Sequence, residues 1–171
     1  HRAKRAIVDS VILDLSRHAG IEELVFYPAV RAEVTGANSD VLEALEEHHL
    51  VKVVLRELED LDPADERFDA KMTVLIENVR HHVKEEEQEL FPMVRDHLGR
   101  SRLRELGDEL RAAKPRVPTR PHPGAPDEPP GNVLVGGAAA AMDRARTGGP
   151  GVGDLVRASA HAAPAPAGAA G

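Results

Sequence analysis

The segment HVKEEEQELFP, residues 82–92, repeats a pattern that the chain carries earlier as HAGIEELVFYP, residues 18–28. In each segment a His is followed four residues later by a Glu-Glu pair and ten residues later by a Pro. A shift of 64 residues aligns the two copies and brings His18 onto His82 and Glu22 onto Glu86. A His and a carboxylate that recur at one spacing indicate one site built from two sides of the protein.

Apolar residues around both segments recur every three or four positions, as in a helix that buries one face. The first stripe is Val8, Val11, Leu15, His18, Glu22, Val25 and Ala29. The later one is Met72, Leu75, Val79, His82, Glu86, Leu90 and Met93. Between them a middle helix shares the face Val41, Leu45, His48, Leu55 and Leu58. No stretch alternates with the period of a strand, so we predict an all-α antiparallel bundle.

Short signals predict where these helices begin and where they bend. The stretch Asn38-Ser39-Asp40 has the pattern of a helix start. Asp62-Pro63 predicts an N-cap followed by a Pro in the first turn. Pro28 and Pro92 lie inside long helical patterns and predict kinks there.

The repeated His and Glu residues lie within the apolar stripes rather than opposite them. Because positions i and i+4 of a helix share a face, His18 and Glu22 can point at one ion, and so can His82 and Glu86. A buried carboxylate without a partner is costly, so it normally lies beside a cation or a metal. The pattern therefore predicts a metal site in the core.

Two adjacent histidines on the middle helix are candidates for a third imidazole ligand. His48 is in phase with Leu55 and Leu58, whereas His49 is in phase with other apolar positions. We therefore favour His48 and keep His49 as the alternative. On the third helix, His81 aligns with an arginine of the first segment, which favours His82.

The remaining carboxylates of the repeat have several possible roles. Glu85 fits a solvated acidic face, as most charge runs do. Glu23 and Glu87 stay open as metal ligands or as groups that hold the ligands in place. The alternative to a metal site is that these His and Glu residues are structural and form hydrogen bonds with one another in the core.

The residue types restrict the chemistry of the site. The chain has no Cys, which excludes disulfides, thiolate metal sites and cysteine nucleophiles. Imidazole and carboxylate ligands without thiolate suit iron, manganese or zinc. Two bridging carboxylates would suit two ions.

The bulk composition points to a soluble, cytoplasmic protein. No apolar run approaches the roughly 18 residues of a membrane span, and there is no secretory signal. The net charge of −7 argues against nucleic-acid binding, which depends on clustered cations. We therefore expect no nucleic-acid or membrane partner.

The composition changes at Pro115. Ten of the 13 Pro and ten of the 14 Gly lie in residues 115–171. Such a segment buries too little apolar surface to offset the entropy of ordering it. We predict a helical domain over residues 1–114 and a disordered or loosely extended tail over residues 115–171, with a marginal helix within Val133–Arg146.

The segments HAGIEELVFYPAVR, EEHHLVK and HHVKEEEQELFP, in this order, resemble the hemerythrin-like family of HHE cation-binding domains. The resemblance covers about residues 3–113. It implies a four-helix bundle that holds a non-haem di-iron centre. By this resemblance the terminal ligands would be His18, His48 and His82, and the residues that bridge the irons would be Glu22 and Glu86.

The chain departs from the family pattern at two points. The family's first helix carries another ligand His, and we expect that helix to be missing from this chain, with His1 not its ligand. Oxygen-carrying hemerythrins also have a second His four residues after the ligand that corresponds to His48. In this chain the residue four positions after His48 is Lys52. The missing nitrogen ligand argues against reversible oxygen carriage.

The resemblance favours a binding protein over an enzyme. We expect two non-haem iron ions, with manganese or zinc less favoured, and an open iron position that takes O₂, NO or peroxide. Such a protein would serve in sensing, iron handling or stress defence. The alternatives are a di-iron peroxidase or oxidase-like enzyme and a metal-free helical interaction module.

Overall fold

The computed structural model describes residues 1–147, and all regular structure within that range is helical. The first long helix comprises α1 (Arg2–Ile21), the π-helical turn π1 (Glu22–Phe26) and α2 (Tyr27–Glu33). The middle helix is α3 (Asn38–Asp60). The third comprises α4 (Phe68–Glu85), the π-helical turn π2 (Glu86–Leu90) and α5 (Phe91–His97), and α6 (Arg100–Ala113) and α7 (Gly131–Thr147) follow. The all-α prediction is confirmed.

The middle helix α3 lies between the two other long helices and runs antiparallel to both. Arg5, near the start of α1, donates hydrogen bonds of 3.0 Å to the carbonyl of Leu58, near the end of α3. Lys71, in the first turn of α4, pairs with Glu57 near the same end of α3. The successive long helices therefore run up, down and up, as expected for a bundle with short connections.

One of the two predicted helix starts agrees with the structure and the other is displaced. Helix α3 begins at Asn38, within the predicted start Asn38-Ser39-Asp40, and Asp40 lies in its first turn, where its negative charge interacts favourably with the helix dipole. Helix α4 begins at Phe68, several residues after the predicted start. Asp62 Oδ1 instead accepts a hydrogen bond of 2.8 Å from the Ala64 N–H and holds a turn.

The irregularity predicted at Pro28 and Pro92 takes the form of a π-helical turn before each proline. Proline lacks an N–H, and its ring clashes with the carbonyl four residues earlier in an α-helix. The wider turn avoids this clash, because the N–H of Tyr27 bonds to the Glu22 carbonyl and that of Phe91 bonds to the Glu86 carbonyl. Both copies of the sequence repeat thus contain the same helical defect.

The core consists of two apolar clusters with a polar layer between them. One cluster is Phe26, Tyr27, Val30, Val34, Ala37, Val41, Ala44, Leu45, Leu90, Val94, Leu98 and Leu106. The other is Val8, Ile12, Val51, Leu55, Leu58, Phe68 and Leu75. His48 lies between Leu45 and Val51 along α3, and His82 lies between Leu75 and Leu90 on the third helix. The repeated polar residues therefore occupy the gap between the clusters.

Residues 115–147 are ordered, although their composition predicted a disordered or loosely extended tail. The marginal helix predicted within Val133–Arg146 is present as α7. Asp143 is buried and accepts hydrogen bonds of 2.9 and 3.1 Å from the N–H groups of Thr119 and Arg120. Asn132 bonds to the Glu23 carbonyl of π1. The segment needs no core of its own, because it packs against the bundle. The predicted tail beyond residue 147 lies outside the described residues.

Within residues 1–147, no helix combines the length and the apolar character needed to cross a bilayer.

Candidate metal centre

The structure brings together the five residues that were predicted as metal ligands. His48 Nε2 lies 3.1 Å from His82 Nε2 and 3.4 Å from Glu22 Oε2. His18 Nε2 lies 3.3 Å from the same Glu22 oxygen, and His82 Nε2 lies 3.6 Å from Glu86 Oε2. One donor atom from each of four of these residues, all except His48, fits within 4.8 Å of the others. Imidazole and carboxylate atoms from all three long helices thus converge.

Burial distinguishes the alternatives that the sequence left open. His48 is 3% exposed, whereas the next residue, His49, lies on the surface. His82 is 4% exposed, whereas the His81 side chain is 61% exposed. The choice of His48 and His82 as the residues that face the cluster agrees with this geometry. The His18 side chain is 46% exposed, so the cluster has one edge open to the surface.

Two carboxylates outside the five predicted ligands hold the buried imidazoles in place, and for Glu23 this is one of the two roles that the sequence left open. Glu23 Oε1 lies 3.1 Å from Nδ1 of His48, and Glu47 Oε2 lies 2.8 Å from Nδ1 of His82. A carboxylate at Nδ1 fixes the ring orientation and keeps the proton on that nitrogen, which directs Nε2 toward a metal. This arrangement is the usual support of a metal-bound histidine.

Lys52, four residues after His48 on α3, supports the site through Glu23. Its Nζ lies 2.7 Å from the Glu23 carboxylate, and both side chains are nearly buried. Lys52 therefore neutralises the charge of Glu23, while the Glu23 carboxylate holds the imidazole of His48. Removal of either partner from a buried ion pair is strongly destabilising, because the other charge is left buried and unpaired.

Tyr27 is a further site residue that the sequence did not single out. Its hydroxyl donates a 3.0 Å hydrogen bond to Glu86 Oε1 and lies 3.3 Å from His48 Nε2. Burial, followed by the charges of Glu22 and Glu86, raises the pKa of Tyr27, so the phenol stays protonated as a donor. It fixes one oxygen of Glu86 and leaves the other for the cluster.

The buried charges of the cluster shift one another's titration. Burial tends to lower the pKa of His48, but the adjacent carboxylates of Glu22 and Glu23 outweigh burial and raise that pKa to about 9. Burial and then the charge of His48 lower the pKa of His82. Burial and then the charge of Glu22 raise the pKa of Glu86 to about 7. Without a metal, the protein therefore stabilises this cluster by keeping protons on His48 and Glu86.

The residues present fit a bound cation. Glu22 Oε2 is buried without a hydrogen-bond partner in the described chain, although two imidazole nitrogens lie within 3.4 Å. A buried carboxylate oxygen in that state is costly, and a metal ion would satisfy it. Nitrogen and oxygen donors without sulfur suit iron, manganese or zinc.

A second group of possible ligands lies on the outside of the site. It comprises Glu47, His81 and Glu85, with His81 Nε2 3.1 Å from Glu85 Oε1 and 3.6 Å from Glu47 Oε1. Glu85 is half-buried, so the prediction of a fully solvated carboxylate is only partly met. Glu87, the counterpart of Glu23 in the repeat, is exposed and away from the buried imidazoles.

Some of these supporting residues left a signal in the sequence. Glu23 belongs to the repeat, and its role differs from that of Glu87 because α6 and α7 cover π1. Glu47 lies directly before His48, but its partner His82 is on another helix. Only the packing of α3 against α4 shows that contact.

The fold and the site define a helical bundle with a cluster of histidines and carboxylates suited to a metal cation. The family model named hemerythrin HHE cation binding domain matches residues 1–94 of the chain. This match spans more than half of the 171 residues, and the chain belongs to that family.

Two curated relatives align with the chain. An uncharacterized hemerythrin-like protein of Schizosaccharomyces pombe is 30% identical over 136 residues, which cover 79% of this chain and 67% of that protein. A DNA nickase of a Nostoc species is 31% identical over 107 residues, or 63% of this chain and 30% of that protein. The chain thus spans less than a third of the nickase. No solved structure matches with significant similarity.

We expect the metal-free protein to lose stability as the pH rises from 7 to 9. His48 has a folded pKa of about 9 against an ordinary value of 6.5, so its contribution is complete below pH 6.5 and is lost as the pH passes 9. Glu86, whose pKa is raised from 4.5 to about 7, adds a loss of the same sign that is mostly complete by pH 7. His82, with a lowered pKa, removes stability only as the pH falls below 6.5.

The measurement is the thermal unfolding midpoint by circular dichroism, in chelator, at steps across this pH range. His48→Gln should flatten the upper part of the curve, because Gln does not titrate. A midpoint that stays constant from pH 7 to 9 in the unmodified chain would contradict the expectation.

We expect Glu47→Gln to weaken metal binding about 10- to 100-fold without loss of helix content, because a neutral amide holds the Nδ1 proton of His82 less firmly. Competition with a chromophoric chelator measures the affinity. Glu43→Gln is the matched control, since Glu43 lines the same surface crevice but is exposed. Equal losses of metal affinity in both variants would show that binding depends on the negative charge of the crevice and not on the contact between Glu47 and His82.

Proposed function

We propose that the chain binds two non-haem iron ions in the polar layer of the bundle. The observation that carries this proposal is the convergence of three imidazoles and two carboxylates, with the Nδ1 atoms of His48 and His82 held by Glu23 and Glu47. With the Nδ1 atoms held by carboxylates, the two Nε2 atoms, 3.1 Å apart, can turn their lone pairs toward a bound cation. Bound iron would provide a position at which O₂, NO or peroxide binds, and the protein would serve in sensing, iron handling or stress defence.

In this proposal the residues divide into three roles. His18, His48 and His82 act as terminal ligands, and Glu22 and Glu86 bridge the two ions. Both bridging carboxylates start a π-helical turn, at equivalent positions of the two long helices. The repeat therefore supplies a pair of related walls for the site.

The supporting residues hold the ligands and keep water out. Tyr27 fixes Glu86 from the side of one apolar cluster, and Glu23 and Glu47 fix the imidazoles. The clusters above and below exclude solvent, which strengthens the electrostatic interactions inside. Within the described residues, the exposed edge at His18 gives a small molecule one approach to the cluster, and the crevice beside Glu47 reaches His82 and Glu86 from another side.

That open edge favours a second candidate, a di-iron peroxidase or oxidase-like enzyme. An enzyme requires access for a reactant and release of a product, whereas a sensor requires only binding. Turnover with peroxide and a reducing co-substrate distinguishes the two. Nucleic-acid cleavage is not part of the proposal, because the chain is acidic and spans only 30% of the nickase relative.

The test is metal content and gas binding of the purified chain. After anaerobic loading with Fe(II) and desalting, mass spectrometry of the metals should give about two iron ions per chain, as a two-carboxylate bridge predicts. Addition of NO should then change the absorption spectrum. A chain that retains no metal would contradict the proposal, and so would one that retains only redox-inert zinc.

A further inference from the structure

A cavity of about 540 Å³ lies between the bundle and the ordered segment after Lys114. Its apolar walls come from Leu24 and Val25 on one side and from Val117, Pro118 and Val133 on the other. Ligand pockets typically enclose about 300–1,000 Å³ and are mostly apolar with a few polar groups. The cavity is therefore of a suitable size for a small organic molecule, and none of the five candidate metal ligands lines it.

Three residues that line the cavity carry a buried polar atom with no hydrogen-bond partner in the described chain. The atoms are Ser16 Oγ, Arg120 Nε and Asn132 Oδ1. Ser16 is 5% exposed and Asn132 is 8% exposed. The Asn132 amide is fixed, because its Nδ2 donates 2.9 Å hydrogen bonds to the carbonyls of Glu23 and Asp127. Native proteins rarely leave such atoms unsatisfied, since each costs about 1–3 kcal/mol.

The charge around the cavity is positive, although the whole chain has a net charge of −7. Lys52, Arg116, Arg120 and Arg144 line it, against the single carboxylate of Glu23. Lys52 already pairs with Glu23, and one terminal nitrogen of Arg120 bonds to a glutamate of α3. Arg116 and the buried Nε–H of Arg120 favour an anionic group in the cavity.

The wall formed by α7 is kept open by two glycines in the middle of the helix. Gly136 and Gly137 both line the cavity, and a Cβ added at either would meet no atom within 4 Å. Packing does not demand these glycines, in contrast to Gly20, where a Cβ would meet Val117 Cβ at 2.9 Å. Glycine inside a helix costs about 0.5–1 kcal/mol relative to alanine. A side chain at the half-buried Gly136 would extend into open space beside the cavity.

We propose that this cavity binds a small organic acid with an apolar body and a hydroxyl group. The carboxylate accepts hydrogen bonds from the Nε–H of Arg120 and from the Ser16 hydroxyl, and the ligand hydroxyl donates to Asn132 Oδ1. The body packs on the apolar wall. Glu23 borders both the cavity and His48, so this site adjoins the candidate metal centre without sharing its ligands.

The test is calorimetric titration of the metal-free full chain with ω-hydroxyoctanoate, alongside octylammonium as the cationic analogue. We expect saturable binding of the acid and none of the cation. Ser16→Ala should weaken binding of the acid about tenfold, the value of one hydrogen bond to a charged group. Absence of binding by the acid, or equal binding by the cation, would overturn the proposal.

A cavity-filling variant separates ligand binding from stability. Gly136→Leu places a side chain into open space and improves helix propensity, so we expect it to eliminate binding without lowering the unfolding midpoint. Ala138→Leu, at an exposed position of the same helix, should leave binding unchanged. Retained binding in Gly136→Leu would show that the probe binds elsewhere. Because these assays use no metal, their outcome is independent of the proposed iron site.

Discussion

Glu22→Gln should eliminate the stabilisation that metal gives this protein while leaving the metal-free protein nearly unchanged. At a free metal concentration about 1,000 times the dissociation constant, binding raises the free energy of unfolding by about 4 kcal/mol. Glutamine keeps the volume of the side chain but lacks the charged bridging oxygen. In the metal-free state it removes two opposing contributions, since the Glu22 carboxylate adds to the effect of burial in raising the pKa of Glu86 and also helps to raise the pKa of His48. We therefore expect a metal-free change within about 1 kcal/mol.

Thermal unfolding with and without Fe(II) measures both quantities on the same samples. Glu87→Gln is the matched control, because it makes the same chemical change in the repeated motif at an exposed position. It should retain the full metal-induced shift. If Glu22→Gln still gains that shift, Glu22 does not bridge the ions.

Lys52→Met should destabilise the metal-free protein by about 3–5 kcal/mol, the usual cost of removing one partner from a buried ion pair. Lys52 is replaced by a side chain of similar length, so little packing is lost. Glu23 is then left as a buried carboxylate whose only close partner among the described contacts is His48. Denaturant unfolding gives the free energy directly.

The double variant Lys52→Met/Glu23→Gln tests the reason for that loss. Removal of the second charge should restore most of the stability, because no unpaired charge is left in the core. Lys84→Met serves as the surface control and should change stability by less than about 0.5 kcal/mol, since Lys84 is exposed. A double variant as unstable as Lys52→Met would indicate that the lysine acts through packing.

The helical pattern predicted the burial of the candidate ligands better than it predicted the core beyond them. Glu22, His48, His82 and Glu86 are buried where their phase placed them. After each π-helical turn, however, the predicted stripe is displaced by one residue. The predicted positions were Val25, Ala29 and Met93, which are only half-buried, and the buried ones are Phe26, Val30 and Val94. A π-helical turn adds one residue to the helix, and a fixed helical period cannot include that addition.

The ordered part of the tail shows a different limit of sequence reasoning. A prediction of disorder from composition weighs the apolar content of a segment against the entropy cost of ordering it, as if the segment were isolated. Val117, Ala140 and Asp143 are buried because the bundle and α7 supply the partners. Contacts between segments so far apart along the chain leave no local pattern, and neither does the pairing of Glu47 with His82.

The π-helical turns determine which kinds of mutation this protein can tolerate. The first and third long helices each contain one residue more than a regular α-helix would need at that point. If such a turn became regular with all its residues retained, the segment beyond it would rotate by about 100° relative to the segment before it. Tyr27 would then leave Glu86, and the apolar face of α2 would leave α3. Loss of one residue within the turn would instead remove the extra residue and keep the two segments in phase. We therefore expect these two helices to accept a single-residue deletion within the π-helical turns far better than an insertion or deletion elsewhere along their length.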